Sequence, residues 1–145
     1  MRRLALACVV LCVGCGTTTH PSRSEQRATA RAFAEDVVAG RAAPARGLVA
    51  KHADRAVLEQ AKRLAADFAE HPGRLVGRPR RSGAAQWAFA YRRRINGKNG
   101  AFSREHGFLV VDTEGDERGV TFAAIIGRVV EHSTHHDAQL LPSKR

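Results

Sequence analysis

The sequence predicts an α+β domain in which N-terminal helices pack on a curved antiparallel sheet. Three observations carry that expectation. Apolar residues recur at helical spacing through the first half, the period falls to two after Pro72, and an Asn/Gly-rich turn joins two of the alternating segments. At 145 residues the chain has the size of one domain, and a domain of that length buries roughly two-thirds of its unfolded surface. A composition 43% hydrophobic and 26% charged excludes wholesale disorder, a collagen-like repeat and a multi-span membrane protein.

Each element has a local reason. Ser22-Arg23-Ser24-Glu25 reads as a capping box, in which serine and glutamate satisfy free N–H groups at a helix start. In the helix that follows, Ala30, Phe33, Ala34, Val37 and Val38 form one stripe, and Gly40 is a natural stop. Pro44 suits the first turn of a second helix running through Leu48, Val49 and Ala50. Asp54 is a good N-cap for a third, whose stripe is Val57, Ala61, Leu64, Ala65 and Phe68 and which ends at His71-Pro72-Gly73. Residues 75–79 make a short edge strand. Trp87, Phe89, Tyr91 and Ile95 then alternate with Ala88, Ala90, Arg92 and Arg94. Asn96-Gly97-Lys98-Asn99-Gly100 is a hairpin loop, since Asn and Gly tolerate positive φ. A return strand over 102–111 places Phe102, Phe108 and Val110 on one face, and an acidic loop over 112–119 leads to a last strand over 120–130.

The N-terminus reads as an address. Arg2 and Arg3 precede an apolar run over 4–13, ten residues long and so about half the roughly 20 that span a bilayer. Val13-Gly14-Cys15 resembles the lipobox of bacterial lipoproteins, departing from it at Cys12, where that family prefers leucine. The resemblance implies cleavage before Cys15, lipidation of its thiol, and a domain tethered to the extracytoplasmic face of the cell membrane, where two acyl chains hold a protein stably. The expected organisation is a signal peptide over 1–14, a lipidated cysteine and tether over 15–23, an α+β domain over 24–131, and a polar His-rich tail over 132–145. Cys8, Cys12 and Cys15 are the only cysteines, so the mature domain has no disulfide, thiolate metal cluster or thiol nucleophile.

The stretch Phe33-Ala34-Glu35-Asp36-Val37-Val38-Ala39-Gly40-Arg41, followed by Ala45-Arg46-Gly47-Leu48-Val49, resembles nuclear transport factor 2-like (SnoaL-like) domains in texture and element order over residues 24–131. That resemblance implies a cone-shaped fold with an apolar cavity. The residues placed to line it are Phe33, Val37, Trp87, Phe89, Tyr91, His106 and Phe108, around a small apolar or amphipathic ligand. Some members, such as ketosteroid isomerase, set an acid beside a tyrosine or histidine, for which Tyr91 and His106 are the equivalents here. Glu105, the one acid in the paired strands, is read as alternating to the other face, which leaves the site without a base. The expectation is therefore a binding module without catalytic residues or cofactor. A small lyase or isomerase using Tyr91 and His106, or a scaffold working through the open sheet face, are the alternatives.

Charge supplies a second candidate site. Residues 74–104 hold nine basic side chains and no acid. Removing residues 1–14 costs two arginines and no acid, so the net charge of +10 becomes +8 and the basic balance belongs to the domain. Arg78, Arg80, Arg81, Arg92, Arg94, Lys98 and Arg104 are the candidate anion-binding residues. Outside the cell the matching polyanions are anionic lipid headgroups and cell-wall polymers, attracted at about 1 kcal/mol per cation near the surface. Nucleic acid is the expected partner only of an unexported chain. No metal is expected: the 131–137 segment holds three histidines without a compact ligand spacing, and Ala123 stands where a calcium loop over 112–117 would need a bidentate acid. Full-length protein recovered from a bacterial host is expected to lack residues 1–14 and to carry acyl-sized additions, both absent from Cys15→Ala, as read by intact mass.

Overall fold

The computed structural model describes residues 20–96, 102–115 and 118–132. The expectations for the leader and Cys15, for Lys98 in the hairpin loop and for the His-rich tail beyond His132 fall outside these residues. Among them, the chain forms three helices followed by an antiparallel sheet of five strands, a mixed α+β architecture. No helix in the described residues is long and apolar enough to cross a membrane.

Helix α1, Arg23–Val38, begins with the capping box: Ser22 Oγ accepts from the Glu25 N–H at 3.3 Å, and the Glu25 carboxylate accepts from the Ser22 N–H at 2.8 Å. At its other end Gly40 adopts φ +74°. From there the Gly40 N–H reaches the Val37 carbonyl at 2.9 Å and the Arg41 N–H reaches that of Asp36 at 2.8 Å, a Schellman closure that occupies two orphan acceptors. Helix α2 is Ala42–Gly47, with Pro44 in its first turn. Helix α3, Arg55–Ala69, is capped by Asp54, whose carboxylate accepts from the Ala56 N–H at 3.0 Å.

The expected edge strand over 75–79 is instead two short pieces, β1 (Gly73–Leu75) and β2 (Arg80–Arg81), which pair with different parts of β3 (Gln86–Asn96). Gly77 at φ +72° and Pro79 break the strand between them. β3 pairs with β4 (Phe102–Asp112) and β4 with β5 (Phe122–His132), giving the order β1-β3-β4-β5. The last strand thus starts two residues later than the sequence suggests. Val120 is drawn out of it into a parallel bridge with Val49, where its N–H donates to the Leu48 carbonyl and its carbonyl accepts from the Ala50 N–H.

The helices cover one face of the sheet. α1 lies against β1, β3 and β4, and α3 against β5. Phe33, Val37, Leu64 and Phe68 from the helices meet Trp87, Phe89, Leu109 and Val111 from the strands in one buried cluster. Small residues, Ala30 and Ala34 on α1 and Ala61 and Ala65 on α3, let the backbones approach. Gly119 is the tightest point of the joint to α2. It adopts φ +147°, and a Cβ there would lie 2.4 Å from the Ala50 backbone. Gly119→Ala is expected to destabilise the fold by about 2–5 kcal/mol, through backbone strain together with the clash, measured as a lowered denaturation midpoint.

Candidate functional site

The antiparallel register decides which residues share a face. β3 and β4 pair Tyr91 with Gly107, Arg92 with His106, Arg93 with Glu105 and Arg94 with Arg104. Side chains alternate, so Tyr91, Arg93 and Glu105 point toward the helices while Arg92, Arg94, Arg104 and His106 point away. Several readings of the sequence change on this point. Glu105 faces inward, beside Tyr91, and is 2% exposed. His106 and Phe108 lie on the outer face, so the sheet separates His106 from Tyr91. The return strand is apolar on both faces, with Phe102, Phe108 and Val110 outward and Leu109 and Val111 inward, and only the pairing register distinguishes them.

On the inner side a polar cluster sits under α3. The Tyr91 hydroxyl donates to Glu105 Oε1 at 2.8 Å, and Arg93 Nη2 donates to Glu105 Oε2 at 2.9 Å. Arg93, itself 8% exposed, also donates to the Asp67 carbonyl and lies 4.5 Å above the Phe68 ring. Arg128 completes the arrangement, with Nε 3.4 Å from Glu105 Oε1 and Nη2 on the Asp67 carboxylate. Two glycines make room for it. Gly107 lies opposite Tyr91, where a Cβ would stand 3.0 Å from the phenol oxygen. Gly127, at φ +59°, permits a bulge: two β5 residues, Gly127 and Arg128, stand between the pairs His106–Val129 and Phe108–Ile126, where β4 has one. The extra residue turns Arg128 inward.

The charges in this cluster are balanced. Burial alone would raise the pKa of Asp67, but Arg128 and Arg93 outweigh it and hold the carboxyl below the usual aspartate range. Asp67 therefore contributes stability above the ordinary value of about 3.9 that is lost as pH falls through the lower folded value. Burial first, then the hydrogen bond and charge of Glu105, push the Tyr91 phenol up to about 12. Both Glu105 oxygens are occupied and the phenol is held as a donor, so the chemistry of this cluster is fixation of α3 on the sheet.

The outer side is different in kind. Arg74 pairs across β1–β3 with Arg92, adjacent to the Arg94–Arg104 pair, and these four line a groove of about 770 Å³ with His106 and Glu131 at its β5 side. Arg94 and Arg104 share one platform, their guanidinium carbons 4.2 and 5.6 Å from the Phe102 ring centroid. Among the described residues no carboxylate pairs with Arg74, Arg92, Arg94 or Arg104, and His106 stands 4.0 Å from Glu131. Of the predicted anion-binding residues, Arg92, Arg94 and Arg104 thus come together. Arg80 and Arg81 lie along β2, where Arg81 donates to the Gly83 and Ala84 carbonyls, and Arg78 is exposed in the break between β1 and β2.

Apart from His106 and Phe108, the residues predicted to line a ligand pocket belong to the buried core. Phe33, Val37, Trp87, Phe89 and Tyr91 are packed on one another in the core. They line neither the outer groove nor a second concavity, of about 220 Å³, between α1 and the residues Thr113, Arg118 and Gly119. Sequence reasoning counts Arg74 and Arg93 among the nine cations of 74–104 without giving either a site, and passes over Arg128 and Asp67. Arg93 shares the parity of Tyr91, and a glycine inside a strand, as at Gly107 and Gly127, signals close approach or a bulge. No protein-family model matches this chain, and neither does any curated protein or any solved structure.

Tyr91 is the single tyrosine of the chain, which makes the inner cluster directly readable. Phenolate absorbance of the folded protein is expected at about 12, against about 10 in denaturant, and lower in Glu105→Gln than in the unchanged protein. The corresponding stability is present below about 10 and lost as pH rises toward the folded value. In denaturant melts Glu105→Gln is expected to cost about 3–5 kcal/mol by removing the buried counter-charge of Arg93 and leaving it only the part-exposed Asp67 carboxylate at 3.3 Å, and Tyr91→Phe about 1.5–3 kcal/mol.

Proposed function

We propose that this chain is an exported, lipid-anchored envelope protein acting as a non-catalytic binding module, which rests its cationic sheet face on the anionic surface of the envelope. The observation that carries the reading is the set of four guanidiniums, Arg74, Arg92, Arg94 and Arg104, gathered on adjacent strands around one open groove. Four guanidiniums so gathered, with no ion pair to a carboxylate among the described residues although Glu131 borders the groove, repel one another, and a polyanion offsets that repulsion. The charged leader start, the short apolar run and the Gly14-Cys15 junction support export and anchoring. Helices preceding an antiparallel meander support a nuclear transport factor 2-like fold, with its interior occupied by core side chains and its binding surface on the outside of the sheet.

Retention of the full-length protein on vesicles tests the reading. Binding is expected on vesicles containing phosphatidylglycerol in excess of that on neutral phosphatidylcholine, and the excess is expected to fall as salt rises. Arg92→Gln with Arg94→Gln is expected to weaken this excess binding about 30-fold, at about 1 kcal/mol per cation. Anionic wall polymer offered in place of vesicles distinguishes the two surfaces. Equal retention on neutral and anionic vesicles, or an anionic excess that salt leaves unchanged, overturns the cationic-face reading.

A further inference from the structure

We infer that the outer sheet face docks on an anionic bilayer by insertion as well as by charge, with an apolar ridge on β5 entering the boundary between headgroups and acyl chains. This inference rests on the proposed reading of the cationic face and adds its partner: lipid, in preference to wall polymer.

The ridge is continuous with the arginines. Across the outer face, the row Arg74, Arg92 and His106 ends at Val129, and the next row, Ala90 and Phe108, ends at Ile126. Ile126 is 53% exposed, Val129 47%, and Phe122, two turns of the pleat further along, 50%. Strands lie about 4.8 Å apart, so this ridge stands about 10 Å from the backbone of Arg92. The bulge at Gly127 strengthens the pattern: with unbroken pairing Arg128 would face outward opposite His106, whereas the extra residue sends Arg128 to Asp67 and Glu105 and presents Val129 instead.

A phosphate- or carboxylate-bearing wall polymer would meet the cations and leave Ile126, Val129 and Phe122 in water. An anionic bilayer satisfies both halves: interfacial proteins bury apolar side chains about 5–10 Å into the headgroup region while arginine stems extend along the surface with their charges in the phosphate layer. The tether suits the geometry. In the anchored reading Cys15 is seven residues from Ser22, a span of at most about 25 Å, which keeps the domain beside the bilayer that holds it.

Tryptophan placed on the ridge reads insertion directly. Full-length protein carrying Ile126→Trp is mixed with vesicles of phosphatidylglycerol and phosphatidylcholine, with and without bromine on the acyl chains. Trp87 is buried, and its signal is subtracted using the unsubstituted protein. Glu59→Trp, on the exposed side of α3 beyond the opposite face of the sheet, is the control and carries the same leader. The expected result is a blue shift and bromine quenching for Ile126→Trp on anionic vesicles, reversed by salt, with none for Glu59→Trp. Ile126→Ser with Val129→Ser is expected to weaken anionic-vesicle binding about tenfold without changing its salt dependence. Anion-dependent, salt-sensitive binding without quenching at position 126 overturns insertion and leaves the cationic face standing. Loss of all anion dependence overturns both. A blue shift that grows with protein concentration in the absence of lipid overturns insertion in favour of a second copy covering the ridge.

Discussion

Eleven consecutive residue pairs join β3 to β4, and that register is the constraint on which both faces of the sheet depend. It sets Glu105 opposite Arg93 on the side that the helices cover, and a carboxylate there is tolerable only with donors in place. Tyr91, Arg93 and Arg128 supply them, from two other strands. Arg93 and Arg128 in turn hold Asp67, so the pairing of two strands fixes the position of a helix that precedes both in sequence. Phe68, next in the chain, stands edge-on to Tyr91 at 5.1 Å and beneath the Arg93 guanidinium, adding apolar contact to the same joint.

The same alternation divides one run of three arginines between two tasks. Arg93 is enclosed and electrically compensated, while Arg92 and Arg94, one residue to either side, face solvent among other cations. Identical in composition, the three are separated by the pleat alone into one packed against the helices and two on the outer surface. The β5 bulge repeats the division with Arg128 and Val129, exchanging a charge for an apolar side chain on the outward face.

Much of the helical layer was legible in the sequence. The capping box, the Asp54 cap, the stop at Gly40 and the apolar stripes of α1 and α3 are local signals, and local signals survive into the fold. The sheet was legible in outline only. Alternation assigns β3 because its aromatics fall on one parity. It cannot assign β4, whose two faces are both apolar, and Glu105 was therefore placed on the wrong side. Nor does alternation carry through a bulge. The expected outer arginines Arg92, Arg94 and Arg104 follow from parity once the register is known, whereas Arg74 joins them from a strand displaced from its expected span.

The order of the elements bears on how the molecule comes into being. The apolar stripes of α1 and α3 have their partners in Trp87, Phe89, Leu109, Val111, Val120 and Ala123, all later in the chain. Helices of 16 and 15 residues are marginal in water without tertiary packing. The helices also pack on one another, but the core they share with the strands is incomplete until nearly all of the sheet has been synthesised. Under the export proposed above, that order would keep the polypeptide threadable: the part entering a translocation channel earliest is the part whose packing partners come last.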